Sequence, residues 1–308
     1  MNSFLTRDNL ESSLGSFELQ ELVCLESDAS LLDLITKMNE ESFGSVGITK
    51  DGSLVGIITE KDFLTRFHLI ENFILNGEEV DITSLMTKNP IVFNEDKTIL
   101  DAMKVMTSLE FRHLPVKKDN TLRIISVRDI LNIICNKFSD DLDLYQPIKN
   151  WRKEDPSLQE IDILEKPHDT DGISSAVFET PLKRIYNSSF IYIDHEGNIE
   201  NLINKMIENE VQVAFVMEYE TTFVGIITER DLLKKVFSKK YQLSDSIIDI
   251  MTASPDYLSV THHFGNALKN MEAFDYRNMP VVAQDGYPIG NVALLDLMSL
   301  FYAQFASN

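Results

Sequence analysis

Apolar residues recur at helical spacing from Leu31 to Asn39 and again from Ile199 to Glu208, and each stretch predicts an amphipathic helix. Each is followed by a short apolar run that closes on the same polar signature. The first is Leu54-Val55-Gly56-Ile57-Ile58-Thr59-Glu60-Lys61-Asp62, the second Phe223-Val224-Gly225-Ile226-Ile227-Thr228-Glu229-Arg230-Asp231. These runs read as strands leading into a further helix. A second type of segment lies downstream of each. Met86-Thr87 leads through Pro90-Ile91-Val92 to a helix over Ile99 to Ser108, then to Phe111-Arg112-His113-Leu114-Pro115-Val116 and Arg123-Ile124-Ile125-Ser126-Val127-Arg128-Asp129. Its counterpart runs from Met251-Thr252 through Tyr257-Leu258-Ser259-Val260 and a helix over Gly265 to Ala273. It ends in Tyr276-Arg277-Asn278-Met279-Pro280-Val281 and Gly290-Asn291-Val292-Ala293-Leu294-Leu295-Asp296.

The order A, B, A′, B′ reads as duplication of a two-repeat unit. Each repeat reads as strand, helix, strand, turn, strand, helix, with turn signals at Lys50-Asp51-Gly52-Ser53, Lys118-Asp119-Asn120 and Gln284-Asp285-Gly286. A lone repeat exposes one face of a short sheet, so repeats are expected to pair. The expected organisation is an N-terminal extension 1–18, repeats over 19–80 and 81–138, a linker 139–180, and repeats over 181–243 and 244–308. The linker starts acidic and carries Pro147, Pro156, Pro167 and Trp151. Its apolar residues (Leu144, Tyr145, Ile148, Trp151, Ile161, Ile163, Leu164) imply that it packs on the repeats.

Composition narrows the classes. The 308 residues suit two domains, and 44% hydrophobic content supports a buried core. The net charge of -21, from 49 acidic and 28 basic residues, repels nucleic acid and anionic membranes. A phosphate site on such a surface needs a local basic cluster. No run is long enough for a membrane span. Met1 to Ser16 lacks a basic head and apolar run, so no export signal is read and the expected compartment is the cytoplasm. Cys24 and Cys135 sit in apolar segments and read as free thiols rather than a disulfide or metal site.

The repeats resemble CBS domains, and each A–B pair resembles a Bateman module. The mark is glycine, two apolar residues, Thr or Ser, two residues, then Asp, at matching points of the repeats. The resemblance covers nearly all of the chain outside the first residues and the linker. It implies an α/β fold of four β-α-β-β-α units in two pseudo-twofold modules forming a flat disc, similar in plan to the γ subunit of the AMP-activated protein kinase. It further implies adenine nucleotides or adenosyl compounds bound in clefts between paired repeats.

A ribose diol suits an ionised carboxylate, which can accept from both hydroxyls at about 1.5 to 3 kcal/mol per charged hydrogen bond. Asp62, Asp129, Asp231 and Asp296 stand where the family places that group. They suit a helix N-terminus equally well. The hydroxyls of Thr59, Ser126 and Thr228 can meet a ribose or phosphate oxygen, or serve as caps. Lys61, Arg128 and Arg230 can face a phosphate, or be solvated charges. The resemblance assigns the adenine wall to the sibling repeat. That is Ile91 with Arg112, His113 and Leu114 for Asp62, and Tyr257 with Arg277, Asn278 and Met279 for Asp231. Ser45 belongs to the wall of Asp129.

The four positions are unequal. Asp62 and Asp231 carry the full pattern. Arg123 replaces the glycine ahead of Asp129. Asp296 has Ala293 for the hydroxyl and Leu295 for the base, so an empty or adenosine-only site is expected there. Arg112, His113 and Arg277 are the candidate basic cluster, and a phosphate beside His113 would raise its proton affinity.

No phosphate-binding GxxxxGK[ST] loop, GxGxxG or HExxH is present, and His262-His263 lacks the i, i+4 spacing of paired metal ligands. The expected function is a non-enzymatic regulatory sensor of AMP, ADP or ATP, with or without Mg, no covalent cofactor and no metal site of its own. An effector protein would read its geometry. Dimerisation stays open, since two modules can complete one disc. The alternatives are an interaction scaffold with degenerate clefts, or a sensor of S-adenosylmethionine or a cyclic dinucleotide.

Overall fold

The computed structural model describes residues 4–40, 44–145, 147–148 and 172–306, and contains helices with four small mixed sheets and a two-stranded ribbon. Trp151, Ile161, Ile163 and Leu164 lie outside the described residues. The chain divides into two compact units. One comprises Leu22–Ile91 and Ser189–Pro255, which hold most of repeats 1 and 3 with the opening residues of repeats 2 and 4. The other comprises Met1–Glu21, Val92–Ser188 and Asp256–Asn308, which hold most of repeats 2 and 4 with their flanking segments.

In the first unit, repeat 1 builds the sheet order Cys24–Glu26, Ser45–Lys50, Ser53–Thr59, Thr87–Lys88, with the first pair parallel and the rest antiparallel. Repeat 3 repeats it with Ile191–Asp194, Val213–Glu218, Thr222–Thr228 and Thr252–Ala253. The hairpin at Asp51-Gly52 takes two left-handed residues, φ 50° and 75°, which matches the strand twist and explains the Asp-Gly pair. The helices Leu31–Glu40 and Ile199–Glu208 bury one stripe each: Leu31, Leu34, Ile35 and Met38, and Ile199, Leu202, Ile203 and Met206. These stripes share one core, in which Phe63 of repeat 1 stacks on Phe237 of repeat 3 with ring centres 5.9 Å apart. A pairing of repeat 1 with repeat 3 through their helices is not contained in the sequence reading.

The opening segments of repeats 2 and 4 pair outside their own repeats: Thr87–Lys88 and Thr252–Ala253 supply the fourth strands of the sheets of repeats 1 and 3. The residue before each lies on the motif glycine. A Cβ on Gly56 would sit 2.2 Å from the Met86 sulfur, and one on Gly225 would sit 2.5 Å from that of Met251. The glycine therefore permits close approach of a neighbouring side chain.

In the second unit, repeat 2 orders its strands Gln20–Glu21, Thr121–Ser126, His113–Lys118, Phe93–Asn94. Gln20–Glu21, at the start of repeat 1, thus completes the sheet of repeat 2, and Arg123 pairs with Glu21 on that edge. Repeat 4 has Leu258–Ser259, Asn278–Val282 and Pro288–Ala293, extended by a bridge from Asn187 to Asn291. Here Tyr186 covers Gly290. The shared core joins Met103, Ile130 and Ile134 to Leu268, Leu297 and Phe301.

Both flanking segments pack in this unit where described. Leu10 and Leu14 are buried, and Leu14 N–H donates to Lys97 O at 2.7 Å. After repeat 2, Phe138 and Leu142 are buried, and Phe178 contacts Phe138, Phe264 and Phe301. Asn270, fully buried, clamps Ile148 by accepting from its N–H at 2.7 Å and donating to its C=O at 2.8 Å. Tyr145 seats on Gly265, but Leu144 is 81% exposed, so it does not join the packing expected of the linker. Cys24 is half-buried and in no disulfide, and its Sγ donates to Leu22 O at 3.4 Å. Cys135 is buried, and burial pushes its thiol up to about 12.

Candidate functional site

Each repeat ends its last long strand in a turn where a helix starts, and the aspartate falls at the third helical position. In repeat 1, Asp62 Oδ2 accepts from Thr59 N–H and from Thr59 Oγ1, both at 2.7 Å. In repeat 3, Asp231 Oδ2 accepts from Thr228 N–H at 2.9 Å and Oγ1 at 2.8 Å. In repeat 2, Asp129 Oδ2 accepts from Ser126 N–H at 2.8 Å and Oγ at 2.6 Å. The residue pair is a reciprocal cap that satisfies helix donors, and it fixes the carboxylate in the same way in all three repeats.

Repeat 4 lacks the hydroxyl but keeps the arrangement. Asp296 Oδ2 accepts from Ala293 N–H at 2.7 Å, and the Asn187 amide donates at 2.6 Å in place of the missing O–H. Burial nonetheless pushes the Asp296 carboxyl above the usual range, against the pull of those two donors.

The second carboxylate oxygen separates the repeats. Asp62 Oδ1 is paired with the Arg66 guanidinium, which also donates to Leu85 O at 2.9 Å. Asp231 Oδ1 faces Lys235 Nζ at 3.7 Å, and Lys235 donates to Ile250 O. Repeats 2 and 4 have Ile133 and Leu300 at the corresponding positions. Among the described residues nothing engages Oδ1 of Asp129 or Asp296.

The bases beside the aspartates reach across their own unit. Arg230 Nε lies 3.9 Å from Oε1 of the buried Glu60, which ties repeat 3 to repeat 1. Arg128 pairs with Asp275 and donates to Tyr276 O at 3.1 Å, which ties repeat 2 to repeat 4. Lys61 is exposed. So Arg128 and Arg230 hold acidic or carbonyl partners where a phosphate was expected.

Arg112, His113 and Arg277 lie together in the second unit. The carbonyls of Arg112 and Arg277 accept the N–H of Val127 and Leu294, at 3.0 and 3.2 Å, which anchors both at equivalent strand starts. Burial first, then the two guanidinium charges, hold the His113 imidazole well below the usual histidine range. The imidazole thus lies close enough to both guanidinium groups to feel their charge.

The remaining expected residues are mixed. Ile91 is 41% exposed, while Leu114 and Met279 are fully buried in the apolar core. Strand alternation explains this: His113 and Asn278 face away from the core that the next residue enters. Asn278 accepts from the Asn291 amide at 2.9 Å, and Tyr257 is half-buried. Ser45 is buried opposite Thr59 in its own sheet. Sequence reasoning missed Arg66, Lys235 and Asn187. The first two were legible as a base four residues after the aspartate, on one helical face. Asn187 is more than a hundred residues from Asp296 and left no local signal. Among the described residues no group of three or more His, Cys, Asp or Glu could hold a metal, and no helix is long and apolar enough to cross a membrane.

Fold and turns define a class: a tandem α/β repeat protein with a capped acidic residue at every strand-to-helix turn. The CBS-domain family profile matches residues 15–69, 81–136, 182–238 and 247–303, and the chain belongs to the CBS-domain family. CBS domain-containing protein CBSCBSPB5 of Arabidopsis thaliana is 24% identical over 306 residues, covering 95% of this chain and 53% of that protein. CBSCBSPB2 of the same plant is 23% identical over 323 residues, covering 96% and 54%. The chain thus spans about half the length of the curated relatives it matches. Among solved structures, protein MJ1225 of Methanocaldococcus jannaschii, described as a proposed archaeal homolog of g-AMPK, shares the fold. It has a TM-score of 0.70 at 16% identity, covering 96% of this chain and all of that one. A conserved protein of Pyrococcus horikoshii covers 94% of this chain and all of its own, at TM-score 0.53 and 17% identity.

Proposed function

We propose that this chain is a non-catalytic ligand sensor that binds adenine nucleotides of the AMP, ADP or ATP class, with the ribose diol received by Asp62 and Asp231. The observation that carries this reading is the repeated carboxylate, held at each turn by a backbone N–H and a second donor. A carboxylate offers about four acceptor positions. Asp62 uses three of them, which leaves Oδ1 able to take a ribose hydroxyl. Occupancy would shift repeat geometry for an effector protein to read.

One observation favours the competing scaffold reading. Arg128 and Arg230 already have partners across their units, so neither base is idle. Mass spectrometry of small molecules released from the purified chain, with melting in the presence of each candidate, separates the two. A ligand at 100 times its dissociation constant adds about 2.7 kcal/mol. Melting unchanged by millimolar AMP, ADP, ATP, S-adenosylmethionine or a cyclic dinucleotide would leave the scaffold. A turnover product on incubation with ATP would contradict both.

A further inference from the structure

In repeats 1 and 3 the helix that follows the aspartate is irregular at one place, and a base sits there. Arg66 is the junction between the helices Glu60–Thr65 and Phe67–Asn76, with φ -112° and ψ 27°. Lys235 lies within the π-helical turn Leu232–Phe237. Such interruptions accompany functional sites more often than regular helix does. Repeats 2 and 4 run through the same place as the unbroken helices Val127–Lys137 and Leu294–Ala306, with Ile133 and Leu300 in place of a base.

Each base holds two groups at once. Arg66 pairs with Asp62 and donates to Leu85 O, and Lys235 pairs with Asp231 and donates to Ile250 O. Leu85 and Ile250 end the short turn that opens the next repeat. The next residue, Met86 or Met251, is the one lying on Gly56 or Gly225. After it comes the connecting strand, Thr87–Lys88 or Thr252–Ala253, which pairs back on the strand leading to the aspartate. The contacts thus close a ring: aspartate, base, turn carbonyl, methionine, glycine, strand, aspartate. The ring occurs twice, once with arginine and once with lysine, so a cation at this place is the common requirement.

We propose that Arg66 and Lys235 are positioning residues that tie the ligand carboxylate to the connector leaving its repeat, so that events at Asp62 and Asp231 are felt at 86–89 and 251–254. The tie is made by the chain's own residues; its use as a signal rests on the nucleotide reading above. Repeats 2 and 4 lack it, which divides the chain into transmitting repeats and non-transmitting ones.

Amide hydrogen exchange on the full chain tests this, with Asp62→Asn, Arg66→Met and Arg66→Lys beside the wild type. Asn89 N–H is the reporter, since it donates to Val55 O at 3.1 Å, together with the Thr87–Lys88 pairing. Asp62→Asn and Arg66→Met should speed exchange at 87–89 by about tenfold, as loss of one net hydrogen bond gives. Amides of Ser45–Lys50 in the same sheet should exchange as in the wild type, and Arg66→Lys should restore protection at 87–89. Unchanged exchange at 87–89 in both variants overturns the tie, as does an equal rise across Ser45–Lys50. In a second arm, AMP should slow exchange at 87–89 in the wild type and not in Arg66→Met. AMP that raises the melting temperature without touching 87–89 overturns the signalling use. AMP that has no effect on melting overturns the nucleotide reading, and the first arm still decides the tie.

Discussion

Asp62 accepts two hydrogen bonds on Oδ2 and one on Oδ1 from within its own repeat, so its removal has two consequences. Losing the acceptor for the Thr59 N–H and hydroxyl costs about 1 kcal/mol or more of stability. Losing the diol acceptor should weaken nucleotide binding by about 2 kcal/mol or more in Asp62→Ala and Asp231→Ala, read by titration calorimetry. Asp296→Ala should change binding little. Burial raises that carboxyl, which makes it a poorer anionic acceptor, and no base stands beside it. Equal losses at all positions would contradict this order. His113 gives a pH signature. Its folded value is depressed, so between that value and about 6.5 the unfolded chain binds the extra proton. Stability should rise with pH through this window and be fully present above about 6.5, and His113→Gln should flatten the rise in melting temperature. A bound phosphate would reverse the sign of the local charge and draw proton uptake.

The motif glycines act at the level of strands. Gly290→Ala should destabilise more than Gly225→Ala. Its Cβ would meet the rigid ring of Tyr186 at 2.2 Å, whereas Met251 can swing its sulfur away from 2.5 Å. Chemical denaturation of the two variants measures the difference. The longer elements were legible. Ile199 to Glu208 was read to its ends, and the Leu31 helix extends one residue further, to Glu40. Buried faces of ten-residue helices show their period. The two-residue strands Thr87–Lys88 and Gln20–Glu21 carry no period, and each completes a sheet through an edge that local sequence does not name. The aspartates were legible from repetition alone. Their second oxygen was not, because it depends on what lies one helical turn further on.

Across the whole chain, similarity between repeats hides a difference in side-chain chemistry. Repeats 1 and 3 carry paired carboxylates, and repeats 2 and 4 carry the cationic group and the flanking segments. The docking of the segment after repeat 2 should depend on Asn270. Asn270→Ala strands both backbone groups of Ile148 and should raise proteolysis near Tyr145, with a stability loss of about 1 to 3 kcal/mol. Trp151 lies beyond the described residues, so the proposed linker role rests on Tyr145 and Ile148. The central claim is that an adenine nucleotide is received by the carboxylates of repeats 1 and 3. Calorimetric titration of the full chain with AMP tests it most directly, run beside the Asp62→Ala, Asp231→Ala double variant. Saturable binding by the wild type, lost in the double variant, is the predicted result. Binding undiminished in the double variant, or no binding by the wild type at millimolar AMP, would contradict it.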